Sequence, residues 1–158
     1  MELPIDEKAR INQMVKKYAD IMLHCAYSYC QNITDAEDII QEVFLKYLKK
    51  SPKFIDNDHE KAWFLRVTIN TSKDYIKSFW NRKTEAINEN ILYDDDEGDE
   101  IWGLVKKLPP KYRIIIQLYY QEGYSIKEIS SILKLRESTT GTQLSRAREL
   151  LKKLIKED

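Results

Sequence analysis

The chain has 158 residues with 26 basic and 26 acidic side chains, a formal net charge of zero, four glycines, four prolines and two cysteines. That length suits one domain or two small ones, and the absence of strand-type alternation points to an all-helical chain. No apolar run approaches the ~20 residues of a membrane span, and the charged start MELPIDEKAR lacks the apolar stretch of a signal peptide, so a soluble, cytoplasmic protein is expected.

In chain order, Ile11, Met14, Val15, Tyr18, Met22 and Cys25 mark one face of a long helix that breaks at Gln31–Ile33. Cys25 and Cys30 fall on different faces of it and are expected to be reduced, and His24 and His59 stand alone. Thr34 with Glu37 has the pattern of a capping box, opening a helix that buries Ile39, Ile40, Val43, Phe44, Tyr47 and Leu48. A loop at 51–57 contains Pro52, after which Asp58 is placed to cap a helix carrying Trp63, Phe64, Val67 and Ile69. Helical character continues through Tyr75, Ile76, Phe79 and Trp80, with an interruption expected near Asn70–Ser72.

From Lys61 to Lys83 basic residues alternate with Trp63, Tyr75, Phe79 and Trp80. Aromatic faces stack on unpaired bases while cations follow phosphates, so the mixture suits separated single-stranded DNA. Trp63 is assigned to the core, whereas for Phe79 and Trp80 core and base-stacking roles stand level. The segment after Thr84 turns acidic, with six acids among the seven residues Asp94–Glu100. Lys134–Asp158, by contrast, holds seven basic and four acidic residues. The charges are therefore segregated along the chain, and that pattern says more about partners than their sum.

Pro109 and Pro110 open a second block, with a helix from about Lys111 to Gln121 closed by Gly123. Ser125–Lys153 reads as a helix-turn-helix. Ser125 and Glu128 form a capping box, Ile126, Ile129, Ile132 and Leu133 repeat at helical spacing, and a break follows at Lys134–Arg136. In the second helix Thr140, Leu144, Ala147, Leu151 and Leu154 line one side, and Ser138, Thr139, Thr142, Gln143, Ser145 and Arg146 the other. Short polar groups and an arginine on a helix held out by its buried face are the parts needed to read base edges in a major groove. An ordinary helical hairpin with a solvated outer face is the plainer alternative.

The segments DAEDIIQEVFLKYL, AWFLRVTINTSKDYI and LPPKYRIIIQLYYQEGYSIKEISSILKL followed by LSRARELL resemble, in order and spacing, bacterial sigma factors of the extracytoplasmic-function (ECF) group. The resemblance implies two small all-α domains joined by an acidic flexible linker: region 2 over residues 1–83, the linker over 84–107, and region 4 with the helix-turn-helix over 108–158. It implies a protein that binds core RNA polymerase, at the beta-prime clamp helices and the beta flap, and directs it to a promoter. There it would contact both duplex and melted strand, without catalytic chemistry of its own. It places Asp38, Gln41 and Glu42 at the polymerase. Asn70 would meet a flipped minus-10 base, with Thr71, Lys73 and Asp74 shaping its pocket and Arg66, Lys77, Arg82 and Lys83 on phosphates. Thr142, Gln143 and Arg146 would face the minus-35 groove, with Ser138 and Thr139 near its phosphates, while Arg148 is assigned a structural role. An anti-sigma partner, able to sequester the chain at the membrane, is implied as well.

The chain departs from the family at the turn and recognition helix. Lys134 stands where glycine is usual, Arg136 replaces a capping residue, Thr140 replaces a buried valine, and Gly141 replaces a basic residue. Two other classes remain open at this point: a dimeric helix-turn-helix operator binder, and a sigma-like adaptor or antagonist that does not initiate transcription. No carboxylate pair, nucleophile triad, phosphate loop or metal-ligand spacing suggests an enzyme, a metal or another cofactor.

Overall fold

The structure, a computed structural model, describes residues 5–82 and 100–157, with side chains throughout except at 79–82. The roles expected for the side chains of Phe79, Trp80 and Arg82, for Lys83 and for nearly all of the acidic segment lie outside the described residues.

Seven α-helices account for most of them: α1 (Ile5–Cys30), α2 (Ile33–Lys50), α3 (Asn57–Arg82), α4 (Glu100–Val105), α5 (Pro110–Ile116), α6 (Ile126–Leu133) and α7 (Glu137–Glu157). No strand occurs among the described residues. A turn of π-helix, Gln117–Gln121, follows α5, and Gly123 beyond it takes φ +75, a conformation glycine adopts without steric cost.

Two helix starts differ from expectation. At α2 the cap is Asn32, whose Oδ1 accepts from the Asp35 backbone N–H at 3.0 Å, two residues ahead of Thr34. At α3 Asp56 Oδ1 accepts from the His59 N–H at 2.8 Å, so Asp58 lies within the first turn. Where several cap-competent side chains follow one another, the one at which the incoming chain turns extended takes the role. The capping box at α6 is as expected: Ser125 Oγ accepts from the Glu128 N–H at 3.1 Å and Glu128 Oε1 from the Ser125 N–H at 3.0 Å. The α3 helix runs through Asn70–Ser72 without interruption. There the buried hydroxyls of Thr68 and Ser72 donate to carbonyls four residues back, at 2.6 and 2.7 Å, and so need no break in the helix.

One core cluster lies within α1–α3 and joins Met14, Tyr18, Met22, Ile39, Val43, Phe44, Tyr47 and Phe64. Val15, assigned to the buried face of α1, is exposed instead. Trp63 is half-buried and packs edge-on against Phe64 at 5.0 Å, as expected of a core residue. The second cluster joins Val105, Leu108, Tyr112, Ile114, Ile115, Ile116, Leu118, Ile129, Ile132, Leu144 and Ala147. It also takes in Cys25 and Tyr29 of α1 and Leu65 and Ile69 of α3. The two halves of the chain thus share a core, and α4, which falls in the stretch expected to be linker, contributes buried Leu104 and Val105.

Candidate nucleic-acid interface

The helix-turn-helix is built from α6 and α7. Between them Lys134 adopts a left-handed conformation, φ 56 and ψ 47, and its N–H donates to the Ser130 carbonyl. The turn closes without glycine, at the ~1–2 kcal/mol that this conformation costs a residue with a Cβ. Thr140 is fully buried. Its substitution for an apolar residue has a partner across the motif: the Ser130 hydroxyl donates to Thr140 Oγ1 at 2.7 Å, and Thr140 in turn donates to the Arg136 carbonyl at 3.2 Å. Together with Leu144 and Ala147 it fixes the inward face of α7.

The outward face carries Ser138, Thr142, Ser145 and Arg146, all exposed, and these line one open groove with Gly141. Thr139 and Gln143 are half-buried and are not among the residues lining that groove. A Cβ at Gly141 would meet nothing within 4 Å, so this position leaves open space on the outward face. Arg148 is tied down: its Nε donates to the Tyr120 hydroxyl at 2.6 Å, and its guanidinium lies over the Tyr119 and Tyr120 rings at 5.4 and 5.5 Å. It braces α7 against the π-turn.

On α3, Asn70, Lys73, Asp74 and Lys77 are exposed. Thr71 is not: it is 3% exposed and accepts a hydrogen bond from Lys46 Nζ at 2.9 Å. The helix turns Thr71 inward toward α2, so it supports its neighbours from beneath and offers no surface to a strand. Arg66 is also engaged, since its guanidinium donates to the Ser131 carbonyl of α6 at 3.0 Å.

On α2, Asp38, Gln41 and Glu42 are exposed on one side of the helix, and Leu45, 65% exposed, continues that side one turn on. Asp35 binds the Tyr75 hydroxyl, and burial followed by that bond pushes the phenol well above its ordinary range. The α2–α3 pair is thereby pinned at the base of the two exposed faces. Leu45 and Lys46 were overlooked in the sequence, although both follow from extending the three- and four-residue spacing by one turn. Among the described residues no cluster of three metal-ligating side chains occurs.

Comparison with known proteins fits this geometry. The Sigma-70 region 2 family model matches residues 14–82 and the Sigma-70 region 4 model residues 98–151. The RNA polymerase sigma factor SigZ of Bacillus subtilis is 32% identical over 135 residues, covering 79% of this chain and 74% of that protein. The chain belongs to the sigma-70 family of RNA polymerase sigma factors. Within that family it falls in the ECF group, being 26% identical to the ECF sigma factor SigW of B. subtilis over 91% of this chain and 88% of SigW. The fold of this sigma factor is that of RpoE from Bartonella quintana, solved with the anti-sigma factor NepR, with a TM-score of 0.73 at 20% identity over 93% of this chain and 97% of that one. The region 4 match begins ahead of α4, consistent with the burial of Leu104 and Val105.

Proposed function

We propose that this sigma factor docks on core RNA polymerase through the Asp38–Gln41–Glu42–Leu45 face of α2 and carries two separate DNA-reading surfaces. The outward face of α7 reads the upstream duplex element. The Asn70–Lys77 face of α3 holds the separated minus-10 strand. The observation that carries this reading is the sidedness of α7, with Thr140, Leu144 and Ala147 buried and Ser138, Thr142, Ser145 and Arg146 outward.

The chemistry follows from residue type. Arg146 supplies a planar fork for a base edge or phosphate, while Thr142 and Ser145 act as short donors or acceptors. The exposed amide of Asn70 matches the hydrogen-bonding edge of an extruded base, and Lys73 and Lys77 beside it are sequence-blind phosphate contacts. We read residues 5–82 and 100–157 as two sigma regions that supply an address and strand separation, leaving catalysis to the polymerase. An anti-sigma partner is proposed too, as for RpoE. No helix among the described residues is long and apolar enough to cross a membrane.

Run-off transcription with purified core polymerase tests the reading: added protein directs initiation at a cognate promoter, and failure to form a complex with core overturns it. In that assay Asn70→Ala lowers promoter opening more than duplex binding. Arg146→Ala weakens upstream binding by ~1–3 kcal/mol, the worth of a good base contact. Equal losses in opening and binding for Asn70→Ala, or an intact upstream footprint for Arg146→Ala, would discard the respective role.

A further inference from the structure

We infer that the cavity between α1 and the α4–α5 segment binds a small aromatic carboxylate, a single ring bearing one short acidic arm. None of the residues read above as contacts to DNA or polymerase lines this cavity, so the inference stands apart from the promoter reading.

The cavity has a volume of about 250 Å³. The C-terminal turns of α1 wall it on one side, and α4, α5 and the π-turn wall it on the other. Size sets the class of ligand first. A cavity of about 150 Å³ holds a benzene ring, and drug-sized ligands take roughly 300–1,000 Å³. A space between these suits one ring with a short substituent and is too small for a nucleotide.

The walls supply the rest. Tyr27 from α1 and Trp102 from α4, both half-buried, offer aromatic faces to a planar ring. Gly103 continues the wall beside Trp102, and a Cβ there would meet nothing within 4 Å. Lys106 and Arg113 bring positive charge, and no carboxylate is among the lining residues. Arg113 is 9% exposed and is held by backbone carbonyls. Its Nε donates to Ser28 at 2.6 Å, and its terminal nitrogens donate to Tyr29 at 3.0 Å and Leu108 at 2.6 Å. Ser28 and Tyr29 lie in the last turn of α1, where carbonyls lack helical partners. One guanidinium thus joins the end of α1 to the start of α5 and fixes a cation in the wall. Lys106 Nζ lies 5.8 Å from the Tyr27 ring centroid. His24, also on the wall, is turned toward Glu122 at 3.0 Å.

The group that points to a ligand is Gln117. It is 5% exposed and lines the cavity, and its Nε2 has no hydrogen-bond partner. A buried amide donor left unpaired is costly, and nearly all such groups in folded proteins are satisfied. Gln117 is also the first residue of the π-turn, an irregularity that recurs at functional sites. An acceptor oxygen in the cavity removes the cost. Beside Lys106 and Arg113, an anionic acceptor gains more than a neutral one. A carboxylate at Gln117, with its ring beside Tyr27 and Trp102, therefore answers the size, the charge and the unpaired donor together.

Thermal melts and ligand-observed NMR on the full-length chain test this with phenylacetate as the probe, in the absence of polymerase and DNA. A ligand of about ten non-hydrogen atoms should bind with a Kd of about 1 mM or tighter. At ten times Kd it should raise Tm by about 3–6 °C. Phenylacetamide, of the same shape but neutral, should bind about tenfold more weakly, and acetate should give no shift. Gln117→Leu should weaken phenylacetate by about tenfold or more. Gly103→Leu should abolish binding by filling the space, and its fold should hold because leucine favours a helix over glycine. Absence of saturable binding to the wild type overturns the inference. So does equal binding of phenylacetamide or acetate, or unaltered affinity in either variant. Loss of run-off activity would refute the sigma reading and leave these binding results as they stand.

Discussion

In region 2 five rings, those of Tyr18, Phe44, Tyr47, Phe54 and Trp63, gather around Phe64 at centroid distances between 4.8 and 6.3 Å. In region 4 the corresponding volume is filled by aliphatic side chains, with Ile114, Ile115, Leu118, Ile129 and Leu144 each at most 1% exposed. The aromatic set closes within three long helices and the connection between α2 and α3 that carries Phe54, and each ring pair adds ~0.5–1.5 kcal/mol beyond its burial. The aliphatic set sits on shorter helices and completes itself with Leu65, Ile69, Cys25 and Tyr29 of region 2. Region 2 therefore has a core of its own, whereas region 4 takes part of its core from its neighbour.

The largest effect that would break this comparison is truncation at the centre of each core. Phe64→Ala should cost ~3–5 kcal/mol and Leu118→Ala ~2–5 kcal/mol in urea unfolding. For Leu118→Ala the loss should appear together in region 2 and region 4 probes, because the second cluster spans both. Separate transitions would show that the shared core does not couple them.

Mild acid gives a smaller effect on both halves. Burial raises the Glu60 carboxyl, but hydrogen bonds from Tyr18 and Lys17 and the Lys17 charge outweigh it and hold the group below its ordinary range. Glu128 is held down by the hydrogen bonds with the Ser125 backbone and side chain, against slight burial. Both carboxylates are depressed in the folded state. Their contribution is therefore full above the ordinary carboxylate value of about 4.3 and is lost as pH falls through the folded value. Thermal melts should drop over that window in the wild type, and Glu128→Gln should flatten the part that belongs to region 4. An unaltered profile would remove the capping box from the account.

The smallest effect sharpens the comparison within the helix-turn-helix. Lys134→Gly relieves the left-handed strain at the turn and should stabilise region 4 by about 1 kcal/mol. A denaturation midpoint that falls instead would mean that the lysine side chain contributes more than its backbone costs.

Much of this site could be read from residue order. The face of α7 and the capping box of α6 are local patterns, set by spacings of three and four residues, and a helix imposes them wherever it lies. The line of Asp38, Gln41 and Glu42 follows for the same reason. What escaped was non-local. Thr71 belongs to a run of polar residues whose exposed and buried members differ only in which faces α2, and Arg113 interrupts the apolar run YRIIIQ with no sign that its acceptors lie 84 and 85 positions earlier. Caps went astray by two residues at α2 and α3 because side-chain oxygens occur in succession there.

Sequence alone determined the helical class, the helix-turn-helix and the family, because periodicity and capping act within a few turns of one chain. Tertiary structure alone decided that the two regions share a core, that Arg113 joins them and that Arg66 is occupied. Those contacts depend on where separate helices meet, and pairings between distant positions leave no periodic trace in the chain.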